Sequence, residues 1–134
     1  KTFAMLPNFF DLKDQPKFLF EYGQCLSKTG QYEEGIRILT EGTRLSADPM
    51  FYNIMGKDAE ALKHFGQAEA CFKQASYMVP HRLYPLYLLA KMYFESGQPE
   101  KGRDMARQVI QKEPKVMSDA VKEMKAELEE RLKP

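Results

Sequence analysis

The segment 29–35, read as TGQYEEG, returns 67 residues further on as SGQPEKG at 96–102. A more divergent copy, LKHFGQA at 62–68, lies between the two. The period is therefore 33 to 34 residues, and apolar residues recur at helical spacing within each period. A period of this length in a helical chain is typical of stacked helix-turn-helix units. The repeat predicts an all-α solenoid of antiparallel helix pairs, with about three repeats.

Helix-breaking residues set the predicted boundaries. A proline stands near the start of each first helix, where a missing N–H costs little: Pro16, Pro49 and Pro85. Gly30 and Gly97 fall in the turns between paired helices, and Lys63 holds that place in the second repeat, where we expect it to loosen the turn. The predicted helices span about 17–28, 32–45, 50–62, 65–78, 84–96 and 99–112.

The same pattern divides a single domain, 1–134, into five parts. Residues 1–15 form a partial helix of an earlier repeat, followed by repeats at 16–48, 49–82 and 83–115. Residues 116–134 form a C-terminal capping helix, with Ser118 as its N-cap. Its apolar residues make one stripe: Met117, Val121, Met124, Leu128 and Leu132. The end of a repeat array needs a helix of this kind, with one apolar face against the last repeat and a polar outer face.

Composition excludes several classes of partner. The chain has 20 basic and 19 acidic residues, a net charge of +1, so no overall field attracts nucleic acid. It contains no run of 18 apolar residues, so we expect no direct membrane insertion by this segment. Its two cysteines show no disulfide pattern. Because the sequence begins at Lys1 and not at methionine, we expect further chain upstream.

Catalytic and cofactor signatures are missing from the sequence. His64 follows Glu60 by four residues, but no further ligand lies at a spacing that would complete a metal site. His81 lies in a predicted loop, and the glycines form no phosphate-binding set. We therefore predict no metal, no cofactor and no enzymatic activity for this chain.

Several positions recur together in phase, which makes the repeat specific. Leu19, Tyr22–Gly23 and Leu26 correspond to Tyr52, Met55–Gly56 and Ala59, and to Leu86, Leu89–Ala90 and Tyr93. This pattern resembles the tetratricopeptide repeat (TPR) over about residues 16–115. The small residues Gly23, Gly56 and Ala90 are predicted to lie where two paired helices approach most closely.

The resemblance also implies a binding surface, because in this family the first helix of each repeat lines a concave groove. The candidate peptide-binding residues, placed by phase, are Phe20, Gln24, Asn53, Lys57, Tyr84, Tyr87, Lys91 and Phe94. Lys57 and Lys91 hold equivalent positions and should line up along the groove, which favours a ligand with apolar side chains and some acidic character.

Two observations qualify this surface. Aromatic residues at helical spacing also serve as packing residues, so Phe20 and Phe94 could instead contact a neighbouring helix. Some TPR domains grip a C-terminal carboxylate with Lys, Asn and Arg at fixed groove places. Several of those places hold Phe20, Ile54, Tyr84 and Leu88 here, so the resemblance disfavours an adaptor for chaperone tails.

A narrower resemblance rests on several segments: 18–26, 48–53, 79–85, 88–93, 113–116 and 120–124. They are similar to the C-terminal soluble tail of bacterial O-antigen ligase-like membrane proteins, which transfer or polymerise lipid-linked sugar chains. The resemblance implies a non-catalytic interaction module of surface polysaccharide (lipopolysaccharide) assembly, tethered to the bacterial inner membrane through an upstream region. The alternative is a free-standing TPR scaffold or co-chaperone that binds a peptide in its groove. Either would bind a protein or peptide partner, and self-association is an open alternative.

Overall fold

The computed structural model of the protein describes residues 15–134. Within this range the chain forms seven α-helices and no strand: α1 (Pro16–Lys28), α2 (Tyr32–Thr43), α3 (Met50–Ala61), α4 (Phe65–Met78), α5 (Tyr84–Glu95), α6 (Pro99–Gln111) and α7 (Asp119–Leu132). The six helices predicted for the repeats are all present, with ends that differ by at most two residues. The partial helix predicted for 1–15 lies outside the described residues except for Gln15, which precedes α1.

The helices stack in sequence order. Each first helix packs most extensively against its own second helix, as α1 on α2, α3 on α4 and α5 on α6. Each second helix then packs on the next first helix, and α7 packs on α6 in the same way. As a result α1, α3, α5 and α7 touch in succession and form one row. This is the all-α solenoid of antiparallel helix pairs that the repeat predicts.

Small residues set the distance between paired helices. A Cβ atom added to Gly23 would lie 2.5 Å from the side chain of Leu39 on α2. At the equivalent Gly56 it would lie 2.5 Å from the ring of Phe72 on α4. Real Cβ atoms do not approach other atoms this closely, so a larger side chain would push the helices apart. These contacts confirm that the paired helices approach closely at two of the three recurring small residues, Gly23 and Gly56.

The turn in the second repeat is not loosened. Lys63 adopts a positive φ of 65°, and the glycines in the equivalent turns have similar values, 83° at Gly30 and 78° at Gly97. The residue after each of these donates its backbone N–H to a carbonyl of the preceding helix, at 2.8 Å for His64 and 2.8 Å for Gln31. The expectation of a looser turn was wrong, because the backbone hydrogen bond holds Lys63 in a conformation that glycine adopts more readily.

The last described helix, α7, has a side-chain cap at its start and one enclosed apolar residue. Ser118 accepts a hydrogen bond from the Val121 backbone N–H at 3.2 Å, which confirms its predicted role as N-cap. Leu128 is the one fully enclosed residue of α7, and it joins a cluster with Ala90, Ala106 and Val109. Among residues 15–134, no helix has the length and apolar character needed to cross a membrane.

Candidate functional site

The first half of the helix row contains an open cavity. It has a volume of about 320 Å³ and lies between α1 and α3, with one contribution from α2. Its lining residues are Gln24, Ser27, Lys28, Tyr32, Ile54, Lys57, Asp58 and Ala61. The structure therefore brings two of the predicted groove residues, Gln24 and Lys57, to the same cavity. We call it the α1–α3 cavity.

A buried carboxyl group lies at the base of the α1–α3 cavity. Asp58 is only 1% exposed, and Ser27 Oγ donates a hydrogen bond of 2.7 Å to its Oδ2 atom. Burial raises the pKa of Asp58 to about 6, against the opposing effects of the Ser27 hydrogen bond and the charge of Lys57. A Cβ atom on Gly35 would lie 3.0 Å from the same carboxylate oxygen, so that glycine leaves the room that Asp58 occupies.

The serine hydroxyl has two acceptors and one proton. Ser27 Oγ lies 3.0 Å from the carbonyl oxygen of Gly23 as well as 2.7 Å from Asp58. Both contacts form at once when a protonated Asp58 donates to Ser27 and Ser27 donates to Gly23. Sequence reasoning missed Asp58. The equivalent positions in the other two repeats hold Cys25 and Met92, so the acidic residue at this position was the signal that could have identified it.

Lys57 lies between two cavities. It is exposed and also lines a cavity of about 290 Å³ on the side facing α5, together with Glu60 and Glu95. Burial, followed by the charge of Glu95, raises the pKa of Glu60. Neither Lys57 nor Lys28 forms an ion pair with another residue in the described range. The two lysines are therefore available to an incoming anion.

The second half of the row has a different environment, because α7 contacts it. Lys91 Nζ lies 3.1 Å from Glu127 Oε2, and Tyr87 donates a hydrogen bond of 2.5 Å to Glu127 Oε1. Arg131 lies over the ring of Phe94, with 5.3 Å between the guanidinium carbon and the ring centre. Lys57 and Lys91, equivalent in the repeat, thus differ in the structure, since only Lys91 is held by a carboxylate of the chain itself.

The remaining aromatic candidates are half-buried. The Phe20 ring packs edge-on against Phe51 at 5.1 Å between ring centres, so part of its surface serves helix packing. Tyr84 stacks on Tyr87 at 6.2 Å and lines a separate cavity of about 460 Å³. Neither side chain is wholly available at the surface.

Asn53 requires a correction. Its side chain is 2% exposed, so a partner cannot reach it, and we remove it from the candidate surface. Its Nδ2 atom donates to the sulfur of Met50 at 3.4 Å, within the same helix. Asn53 holds the same position in its repeat as Phe20 and Tyr87, and it was assigned to the groove for that reason alone. Its side chain is smaller than theirs and is enclosed by the neighbouring residues.

The described residues contain no cluster of metal-ligand side chains. Residues 15–134 hold no group of three or more His, Cys, Asp or Glu residues able to bind a metal ion. Cys71 is buried, and burial raises the pKa of its thiol to about 11, which disfavours the reactive thiolate. The site therefore offers hydrogen bonds, charge and apolar contact.

Comparison with known sequences supports the repeat assignment. Sequence profiles of the tetratricopeptide repeat match residues 16–49 and 86–115. The middle helix pair, α3 and α4, packs like the other two pairs. Among curated protein sequences there is no significant match.

Three solved structures share the fold. The first TPR domain of Spaghetti (RPAP3), bound to the HSP90 peptide SRMEEVD, superposes with a TM-score of 0.70 at 19% identity, covering 88% of this chain and 95% of that one. PcrH, in complex with the chaperone binding region of PopB, superposes with a TM-score of 0.69 at 15% identity, covering 89% of this chain and 95% of PcrH. MamA superposes with a TM-score of 0.68 at 16% identity, covering 88% of this chain and 78% of MamA. At these identities the similarity shows the fold alone.

Proposed function

We propose that the tetratricopeptide repeats of this chain form a non-catalytic protein-interaction module that binds a peptide segment of a partner protein in the α1–α3 cavity. The observation that carries the proposal is the placement of Gln24 and Lys57 at one open cavity above the buried Asp58. Two proteins of similar fold, the RPAP3 domain and PcrH, were solved with an HSP90 peptide and with a region of PopB respectively, which supports this role.

The lining predicts the chemistry of the ligand. Lys28 and Lys57 at the rim favour a carboxylate, and Ile54 offers an apolar contact deeper in the cavity. The amide of Gln24 can donate to or accept from a peptide backbone. The carboxylate clamp of some TPR domains is not expected here, because two of its places hold Phe20 and Tyr84. A free C-terminus should therefore add little affinity.

Peptide binding to the purified chain tests the proposal. The probe is a fluorescein-labelled hexapeptide, Asp-Glu-Leu-Phe-Glu-Asp, and fluorescence anisotropy measures its affinity. Lys28→Glu with Lys57→Glu should weaken binding by about tenfold or more, since both rim charges are reversed. The matched control reverses two exposed lysines elsewhere, Lys17 and Lys122. Equal affinities for the two double variants would contradict binding in the α1–α3 cavity.

A second probe addresses the clamp. SRMEEVD is compared as the free acid and as the C-terminal amide. Similar affinities are expected for the two forms. A strong preference for the free acid would show that this chain recognises a C-terminal carboxylate with other residues.

The resemblance to O-antigen ligase-like proteins extends the proposal to a parent protein. In this form the module is the C-terminal part of a membrane protein of surface polysaccharide assembly and recruits a partner near the bacterial inner membrane. The extension rests on the sequence segments named above, and no curated protein sequence matches the chain significantly. The reading frame upstream of Lys1 tests it: a series of membrane helices followed by this domain supports the parent, whereas a start codon directly before Lys1 contradicts it.

The alternative is a free-standing scaffold or co-chaperone. The similarity to PcrH, whose structure contains a chaperone binding region of PopB, favours this reading. A defined partner protein that binds the purified chain, with no membrane segment in the same reading frame, would support it. Light scattering of the chain alone tests self-association.

A further inference from the structure

A second cavity lies at the other end of the array, away from the α1–α3 cavity. It has a volume of about 460 Å³ and is formed by the α4–α5 loop, the start of α5, the α6–α7 loop and the first turns of α7. Tyr84 at its edge stacks on Tyr87, so the cavity adjoins the α5 part of the helix row. We call it the α5–α7 cavity.

Specific hydrogen bonds fix the walls of the α5–α7 cavity. Lys125 donates to the carbonyl oxygens of Ile110 at 2.9 Å and Lys112 at 2.7 Å, which ties α7 to the end of α6. Ser118 caps the start of α7. The loop between these two helices is therefore held at both ends.

Apolar groups form much of the cavity surface. Val121 and Met124 of α7 are half-buried and pack against the cluster around Leu128. Val116, in the α6–α7 loop, is 74% exposed at the cavity edge. An apolar side chain placed here would lose contact with water on several sides, which favours its binding.

The charge of the lining distinguishes this cavity. Arg82, Lys115 and His81 line it, and no acidic residue of the described range does. Neither Arg82 nor Lys115 forms an ion pair with another described residue. The cavities around Lys57 contain Asp58 on one side and Glu60 on the other, so their cations have nearby carboxylates. Of these three cavities, the α5–α7 cavity is the one that combines apolar walls and positive charge with no acidic residue in its lining.

We propose that the α5–α7 cavity is a second docking site, which binds an acidic segment of a partner protein that carries an apolar side chain. The apolar side chain packs against Val121 and Met124, and its neighbouring carboxylates lie near Arg82 and Lys115. Charge complementarity selects this occupant, because a basic or purely apolar segment would leave the two cations without partners. The site does not depend on any ligand in the α1–α3 cavity.

Nuclear magnetic resonance of the isotope-labelled full chain tests this site with the same Asp-Glu-Leu-Phe-Glu-Asp probe. The amide signals of Leu83 and Val121 should shift on titration. Arg82→Glu with Lys115→Glu should reduce the affinity measured from those shifts by about tenfold or more. Lys28→Glu with Lys57→Glu is the matched control and should leave the shifts at the α5–α7 cavity unchanged. A probe with alanine in place of Leu-Phe should bind more weakly than the parent.

The outcomes separate the two proposals. Shifts confined to α1 and α3 would overturn the α5–α7 site and leave the α1–α3 site standing. If signals at both cavities shift, and each set of shifts is reduced only by the charge reversal in its own cavity, both docking sites are supported. Shifts at Leu83 and Val121 that persist after Arg82→Glu with Lys115→Glu would overturn the assigned charge recognition. Shifts there on concentrating the chain alone would indicate a second copy as the occupant, and would also overturn the proposal.

Discussion

Lys91 on α5 and Glu127 on α7 form an ion pair of 3.1 Å, and the Tyr87 hydroxyl donates to the same carboxylate. Lys91 also donates to the Tyr87 oxygen at 3.1 Å, so the three groups form a small network between α5 and α7. The hydrogen bond from Tyr87, with the ion pair to Lys91, holds the pKa of Glu127 below its ordinary value. Lys91 and Tyr87, two of the predicted groove residues, therefore help to hold α7 against α5.

A double-mutant cycle tests this network. Lys91→Ala and Glu127→Ala should show a coupling of about 0.5–1 kcal/mol in the free energy of unfolding, the range for partly exposed pairs. Lys57→Ala, at the equivalent exposed position, should change stability by less than about 0.5 kcal/mol. The coupling should be present above the ordinary carboxyl pKa and be lost as pH falls through the lowered pKa of folded Glu127. Urea denaturation at several pH values gives all three quantities, and no coupling at neutral pH would contradict the network.

Asp58 should make stability fall as the pH rises. Its folded pKa is about 6 against an ordinary value of 3.8, so between these values the folded chain holds a proton that the unfolded chain has released. Folding then takes up a proton, and the free energy of unfolding decreases as pH increases across this window. Asp58→Asn removes the buried charge and can donate to Ser27 as the protonated acid does. We expect it to raise stability at pH 7 by on the order of 2 kcal/mol.

The control for Asp58 is the exposed Asp104. The difference between Asp58→Asn and the native chain should shrink between about pH 6 and pH 4, whereas Asp104→Asn should change stability little throughout. Urea denaturation over this range measures both. A constant difference for Asp58→Asn would show that the carboxyl is ionised in the folded chain at all these pH values.

Lys63→Gly should stabilise the protein. Lys63 has φ 65°, in the left-handed region, where a residue with a Cβ atom is disfavoured by roughly 1 kcal/mol. Glycine removes this strain but adds freedom to the unfolded chain, so the expected net gain is about 0.5 kcal/mol. The matched opposite change is Gly30→Ala in the equivalent turn, at φ 83°, which should destabilise by about 1 kcal/mol. A loss of stability for Lys63→Gly in thermal denaturation would indicate that the lysine side chain makes a compensating contact.

The fold was predictable because its signals are local and repeated. Gly23 and Gly56 recur in phase, and the requirement for close helix contact is the same at both. The environment of a groove residue is not periodic: Lys57 and Lys91 share a phase, but only Lys91 faces a carboxylate that α7 supplies. That contact joins residues 36 positions apart and has no counterpart in the repeat pattern. Asp58 was missed for the same reason, since its burial depends on where neighbouring helices pack.

The division of the chain into repeats and a capping helix is itself a prediction, and Leu128 offers a test of its last part. Leu128 is fully buried against Ala90, Ala106 and Val109, while the other apolar residues of α7 are at most half-buried. Leu128→Ala removes the main anchor of the helix, and losses of about 2–5 kcal/mol are usual for such a change. In a repeat array each unit contacts only its neighbours, so α7 should undock before the rest unfolds.

Hydrogen exchange distinguishes undocking from general unfolding. Leu128→Ala should increase the exchange rates of α7 amides strongly and those of α6 less, and leave α1 and α2 unchanged, because only the end of the stack loses its packing. Met117→Ala, in the exposed loop before α7, is the matched control and should alter none of these rates appreciably. If protection of α1 and α2 falls as much as that of α7, the described helices unfold as one cooperative unit, and α7 is an integral part of the stack instead of a cap on it.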